Sequence, residues 1–160
     1  MTLEELNRLP RYRAEEEFLK CCGSRAWVRT MAQRRPFSNL ERLAQAAGEI
    51  WFSLDTSDWM EAFRAHPRIG ERKVSGTPAE EQSGLNRAPG AVTTAIDEAN
   101  QKYFDRFGFI FIICATGKTG EQMLDNLRSR LINAPDQELR IAAEEQNKIT
   151  LSRLNKFFPL

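Results

Sequence analysis

Phe107-Gly108-Phe109-Ile110-Phe111-Ile112-Ile113-Cys114-Ala115 is short, apolar and rich in β-branched and aromatic residues, and taken alone it reads as a buried strand. A strand needs a partner, and no second run of this kind occurs in the chain. The expectation is therefore a buried extended or irregular stretch inside an all-α fold. Both flanks agree. Gly108 follows the helical pattern that carries Tyr103 and Phe104 and suits a left-handed helix stop. On the other side Thr119 and Gln122 have the spacing of a capping box that opens the next helix.

Helical signals dominate the remaining sequence. Thr2 with Glu5, and Ser38 with Glu41, have capping-box spacing, in which hydroxyl and carboxylate satisfy free N–H groups reciprocally. After Ser38 the residues Leu40, Leu43, Ala44, Ala47, Ile50 and Trp51 recur at spacings of three and four, one buried helical stripe. Further helices are expected near 12–22, 25–34, 57–65, 78–84, 91–106, 119–133 and 136–157, with Pro36, Pro67, Pro89 and Pro135 as punctuation. Thr77, Pro78 and Glu80 supply a cap, a first-turn proline and a third-position acid. No repeat, low-complexity tract or linker divides the 160 residues, so a single domain over 1–160 is expected.

Composition removes several classes. Lys and Arg number 23 against 22 Asp and Glu, a net charge of +1 that provides no field to gather nucleic acid or an anionic membrane. The longest apolar run is far short of the ~20 residues a membrane span requires, and the N-terminus has no apolar signal core. Three cysteines without a CxxC pair argue for reduced thiols and a cytoplasmic setting.

The single histidine, His66, lies in Ala65-His66-Pro67-Arg68-Ile69-Gly70. Proline disfavours helix at the residue before it, so His66 should leave the preceding helix and project from its end. Imidazole exchanges a proton near neutral pH and suits general acid or base work; a surface or core-packed histidine is the alternative. One histidine excludes the common His-rich zinc sites, and no GxSxG elbow accompanies it. In Thr77-Pro78-Ala79-Glu80-Glu81-Gln82-Ser83-Gly84, Glu81 and Gln82 have no local task and are either solvated or arranged around His66. The last helix spaces its charges three or four apart, as a solvated face does. Arg153 beside Leu154 belongs to that face or turns inward to grip a carboxylate or carbonyl. Cys114 reads as a buried thiol. Gly117-Lys118-Thr119 follows the apolar run as a phosphate loop would, but Ile112 stands where that motif needs glycine, so the segment reads as a loop before a helix start.

Four segments together carry a resemblance: AHPRIG at 65–70, EEQSGL at 80–85, FGFIFIICATGKTG at 107–120 and AAEEQNKITLSRL at 142–154. In order and spacing the chain resembles the 2-oxo-4-hydroxy-4-carboxy-5-ureidoimidazoline (OHCU) decarboxylase family over roughly residues 5 to 158.

The resemblance implies an all-α bundle of about eight to ten helices that forms homodimers. The activity it implies is the last step of urate degradation, decarboxylation of OHCU to (S)-allantoin without metal or organic cofactor. By resemblance His66 is the acid/base, Pro67 lines the pocket, Glu81 orients His66 or the substrate hydroxyl, and Gln82 hydrogen-bonds the ureido or ring amides. Arg153 would hold a substrate oxygen, and Phe111, Ile112 and Ile113 would supply apolar walls and backbone hydrogen bonds. Many members carry serine three residues before the glutamate. This chain has Pro78 there, so that hydroxyl contact is absent unless Thr77 or Ser75 replaces it. The competing expectation is a non-catalytic helical ligand-binding or interaction module on the same fold.

Overall fold

Thr2 Oγ1 accepts the Glu5 N–H at 3.1 Å while a Glu5 carboxylate oxygen accepts the Thr2 N–H at 2.7 Å, and this reciprocal pair opens α1 (Leu3–Arg8). The computed structural model describes residues 1–71 and 76–159. After α1 come α2 (Arg11–Leu19), α3 (Arg25–Arg34), α4 (Leu40–Ser53), α5 (Thr56–Arg64), α6 (Thr77–Glu81), a 3-10 turn (Ser83–Arg87), α7 (Gly90–Phe107), α8 (Gly120–Arg130) and α9 (Pro135–Phe157). No strand occurs among the described residues, so the fold is all-α as expected. None of these helices is long and apolar enough to cross a membrane.

The chain forms two compact units, Met1–Ala62 with Gln146–Leu160, and Phe63–Glu145. In the first, Phe18 is fully buried and meets Trp27 edge-on with centroids 5.8 Å apart, and Phe37 and Phe158 at 6.5 and 6.3 Å. Burying such a ring stabilises by about 1.5–3 kcal/mol. Trp27 Nε1 donates to the Ala47 carbonyl at 3.0 Å, so its polar edge is satisfied inside the core. Arg35 Nη1 donates to the Leu6 and Leu9 carbonyls at 2.7 and 2.8 Å, satisfying the C-terminal end of α1.

In the second unit α7 packs on α8, and Tyr103 gathers the rings of Phe107, Phe109 and Phe111 at 4.6, 5.8 and 5.4 Å. Phe109, Phe111, Ile112, Ile113 and Ala115 are buried, and residues 109–115 form neither helix nor ladder, as the missing partner strand implied. Gly108 ends α7 with φ 78°, the left-handed stop read from the sequence.

Two caps differ from expectation. Asn39, not Ser38, caps α4, its Oδ1 accepting the Arg42 N–H at 2.9 Å. An amide oxygen serves as well as a hydroxyl there, and extended backbone at 39 places it directly before the first turn. Thr77 is the first helical residue of α6 rather than its cap. The cap position belongs to Gly76, whose φ of 69° is the region that favours glycine. The helix expected to reach residue 22 stops at Leu19, leaving Cys21 and Cys22 in the turn that follows.

Candidate functional site

His66 stands two residues beyond α5, where Pro67 forbids another helical turn, and its N–H closes the end by donating to the Phe63 carbonyl at 3.1 Å. Both His66 and Pro67 are half-buried. The turn they begin is pinned along its length. Arg68 Nη1 donates to Gln101 Oε1 at 3.2 Å and its guanidinium lies 5.2 Å from the Phe104 ring centroid. Asn100, buried on α7, donates through Nδ2 to the Ile69 carbonyl at 2.8 Å. The Gly70 N–H donates to Gln82 Oε1 at 3.1 Å, with Gly70 at φ 82°.

That last bond brings two of the motifs together. Gln82 is buried just past α6, so its acceptor is committed to the turn that carries His66. Glu81, the last residue of α6, is half-buried. Its charge reaches Cys114, whose thiol is pushed up mainly by burial, opposed by Lys118 and reinforced by Glu145 and Glu81. Backbone packing holds the same segments close. A Cβ on Gly84 would sit 1.9 Å from the Lys118 carbonyl oxygen, so only glycine allows the 3-10 turn to rest on the loop after the extended run.

The run 109–115, neither helix nor ladder, is fixed by side chains. Arg130 Nη1 donates to the Ile112 carbonyl at 2.5 Å, and Arg130 Nε donates to Glu138 Oε1 at 2.6 Å. Tyr103 donates its hydroxyl to the same oxygen at 2.5 Å, while Asn133 Nδ2 reaches Glu138 Oε2 at 3.0 Å. Burial pushes the Tyr103 hydroxyl far above the ordinary phenol value, and its bond to Glu138 adds to this. The Arg130 guanidinium also lies 4.4 Å from the Phe111 ring centroid, so Phe111 and Ile112 are held as one wall.

Arg153 belongs to the first unit. It is half-buried on α9, where its charge draws the Cys21 and Cys22 thiols down against burial. Burial wins, and they stand at about 12 and about 11. His66, Pro67, Glu81, Gln82, Phe111, Ile112 and Ile113 all belong to the second unit.

Sequence reading missed Asn100, Arg130, Glu138 and Glu145. The solvated face expected for the last helix holds for Arg140 and Glu144, exposed partners at 3.4 Å, but not for Glu138 or Glu145, both buried. A signal was present. Glu138, Ala142, Glu145 and Ile149 follow one another at spacings of four and three, so the two acids lie on the buried stripe. Ser75, a possible substitute for the missing serine, lies outside the described residues. The Gly117-Lys118-Thr119 segment behaves as a loop and helix start. Lys118 Nζ donates to the Cys114 carbonyl at 2.7 Å, and Thr119 and Gln122 close a capping box. Among the described residues no three His, Cys, Asp or Glu side chains converge to hold a metal ion.

The family profile described as OHCU decarboxylase matches residues 7–155. The uric acid degradation bifunctional protein TTL of Arabidopsis thaliana is 37% identical over 153 residues, covering 90% of this chain and 47% of the relative. A uric acid degradation bifunctional protein of Bacillus is 30% identical over 166 residues, covering 99% of this chain and 32% of its own length. The chain thus spans about half and about a third of those two relatives. A crystal structure of OHCU decarboxylase in the presence of (S)-allantoin superimposes with TM-score 0.81 at 40% identity, covering 89% of this chain and 97% of that one. By a profile match over almost its whole length, this chain belongs to the 2-oxo-4-hydroxy-4-carboxy-5-ureidoimidazoline decarboxylase family.

Proposed function

We propose that this protein decarboxylates OHCU to (S)-allantoin, the last step of urate degradation. The observation that carries the reading is the Gln82–Gly70 hydrogen bond, which ties the Glu81-Gln82 segment to the turn that begins with His66. The similar crystal structure of OHCU decarboxylase in the presence of (S)-allantoin supports the product.

The chemistry suits so small a set of groups. The departing carboxylate sits on a carbon conjugated with a ring imine, so when the C–C bond breaks and carbon dioxide leaves, the electron pair passes into the substrate's own ring. The carbon that lost the carboxylate keeps its hydroxyl, which becomes the ring carbonyl as its proton leaves, and a proton delivered to the neighbouring former imine carbon, which bears the ureido group, then gives allantoin. The protein's tasks are to orient the carboxylate and to deliver that proton to one face. His66 is the acid/base, with Pro67 against the pocket. Glu81 orients His66 or the substrate hydroxyl, and Gln82, its Oε1 held by Gly70, offers its Nε2 end to the substrate amides. Phe111, Ile112 and Ile113 form the apolar wall, and Arg153 grips a substrate oxygen.

The reading takes residues 1–160 as one functional domain, supported by a profile match that enters both units. It also takes the working form as a cytoplasmic homodimer, which sedimentation would check.

Pro78, in the first turn of α6 where many relatives carry serine, favours a second reading, a binding module that retains the fold. One experiment separates the two. OHCU is generated from urate with urate oxidase and hydroxyisourate hydrolase, and circular dichroism is followed with and without this protein. Faster appearance of a lasting single-handed signal supports the decarboxylase; a trace identical to the protein-free control defeats it.

A further inference from the structure

The backbone of residues 109–115 lies buried outside any helix or ladder, so its polar groups need partners from elsewhere. Three side chains supply them over a short span. Arg130 takes the Ile112 carbonyl at 2.5 Å, Glu145 Oε1 accepts the Cys114 N–H at 3.2 Å, and Lys118 takes the Cys114 carbonyl at 2.7 Å. The three side chains thus supply to Ile112 and Cys114 the hydrogen bonds that a helix or a partner strand would otherwise give.

Their contributions differ. Lys118 is four residues from Cys114 in the same loop, and Arg130 is bound into the buried Tyr103–Glu138 network. Glu145 comes from α9, 31 residues away, and sets where the Cys114 end of the run lies. At that end Gly84 rests on the Lys118 carbonyl, three residues beyond Glu81. A shift of the Cys114 amide would therefore change the spacing between the apolar wall and the α6 end.

We infer that Glu145 is a positioning residue, whose carboxylate holds the Cys114 amide and thereby sets the wall of Ile112 and Ile113 against the Glu81-Gln82 segment. Reach, rather than charge, is what the task requires. The inference rests on the proposed decarboxylation, for which a displacement near 1 Å costs on the order of 10²-fold in rate.

Two substitutions separate reach from charge. Glu145→Gln retains the length and an acceptor oxygen while removing the charge, and Glu145→Asp retains the charge but withdraws it by one methylene. Glu145→Met, of similar bulk and without an acceptor, is a second reach-deficient variant should Glu145→Asp unfold. Steady-state OHCU turnover well below each unfolding midpoint is combined with amide hydrogen exchange at Cys114. Expected is Glu145→Gln within about threefold of the parent, and Glu145→Asp or Glu145→Met reduced about 10- to 100-fold in kcat with KM little changed. The Cys114 amide should exchange faster in the reach-deficient variants alone. Parent-like turnover in Glu145→Asp and Glu145→Met overturns the inference, as does a loss in Glu145→Gln as large as theirs. An inactive parent defeats the decarboxylase reading instead, and exchange at Cys114 then decides whether Glu145 holds the run.

Discussion

Gln82 Oε1 and the Gly70 N–H, twelve residues apart in sequence, meet at 3.1 Å and fasten the end of α6 to the turn after His66. Gln82 is buried and Gly70 half-buried, so replacing Gln82 with leucine leaves the Gly70 N–H without its acceptor. Gln82→Leu is expected to destabilise by about 1–3 kcal/mol in urea unfolding, with a fall in OHCU turnover larger than the fraction unfolded explains. Asn100→Leu, which strands the Ile69 carbonyl, should do the same from the α7 side. Unchanged turnover in both would show that the turn needs neither anchor.

His66 is half-buried at a helix end, so its removal should spare the fold. His66→Ala is expected to lower kcat/KM by about 10²-fold or more while changing unfolding free energy by no more than about 1 kcal/mol. Activity that survives the substitution would remove His66 from the mechanism.

Two glycines should respond with opposite signs. A Cβ at Gly84 meets the Lys118 carbonyl oxygen at 1.9 Å, whereas one at Gly48, inside α4, meets only the Asn147 side chain at 3.8 Å. Gly84→Ala is expected to cost about 1–3 kcal/mol by forcing backbone apart. Gly48→Ala should stabilise by about 0.5–1 kcal/mol through helix propensity. Thermal melts of the two variants side by side test the packing around Gly84 directly.

Arg130 and Glu138 form a buried ion pair 2.5 Å apart, and Glu138 also receives the Tyr103 hydroxyl. Glu138→Leu leaves the guanidinium buried without its counter-charge and should cost about 3–5 kcal/mol. Replacing both partners, with Arg130→Met and Glu138→Leu together, should restore part of that loss. A double variant no more stable than the single one would mean that the pair contributes through its hydrogen bonds to Ile112 and Tyr103 rather than through charge balance.

Cys21 and Cys22 stand near 12 and 11 against an ordinary thiol value of 9.0, and Tyr103 is raised above 10.0. Each therefore holds its proton more tightly in the folded state. Below pH 9 both states are protonated and stability is at its plateau. Above it the unfolded chain has released protons that the fold retains, so stability falls toward pH 11 to 12. Each such group contributes a slope approaching 1.4 kcal/mol per pH unit, about. Urea midpoints measured across pH 8–11 should decline above 9, less steeply in Cys22→Ala. A flat profile to pH 11 would contradict the burial of these thiols.

Local features were legible because they depend on neighbours in the chain. The capping boxes at Thr2 and Thr119, the Gly108 stop, and the helix end before Pro67 each need only three or four consecutive residues. The same holds for the run at 107–115, where the absence of a second strand decided the class. The anchors of the site were not legible in this way. Gln82 with Gly70, Asn100 with Ile69, and Glu145 with Cys114 pair across 12, 31 and 31 residues, and a polar side chain carries no local mark of so distant a partner. The two caps that shifted by one residue did so for different reasons: Asn39 rather than Ser38 takes the free Arg42 N–H, whereas Gly76 precedes α6 through its backbone at φ 69° and no side-chain cap.

The acids on the buried stripe of α9 also decide how that helix can seat. Moving α9 by one turn would carry Glu138 about 5.4 Å from Arg130 and Glu145 as far from the Cys114 amide. Apolar side chains tolerate such a slip, since one leucine replaces another at little cost. A carboxylate does not, for it would enter a dry surrounding with its partner, Arg130 for Glu138 and the Cys114 N–H for Glu145, left behind. The two glutamates thus work as alignment pins, admitting one axial setting of the first turns of α9 and refusing the settings that a purely greasy stripe would accept.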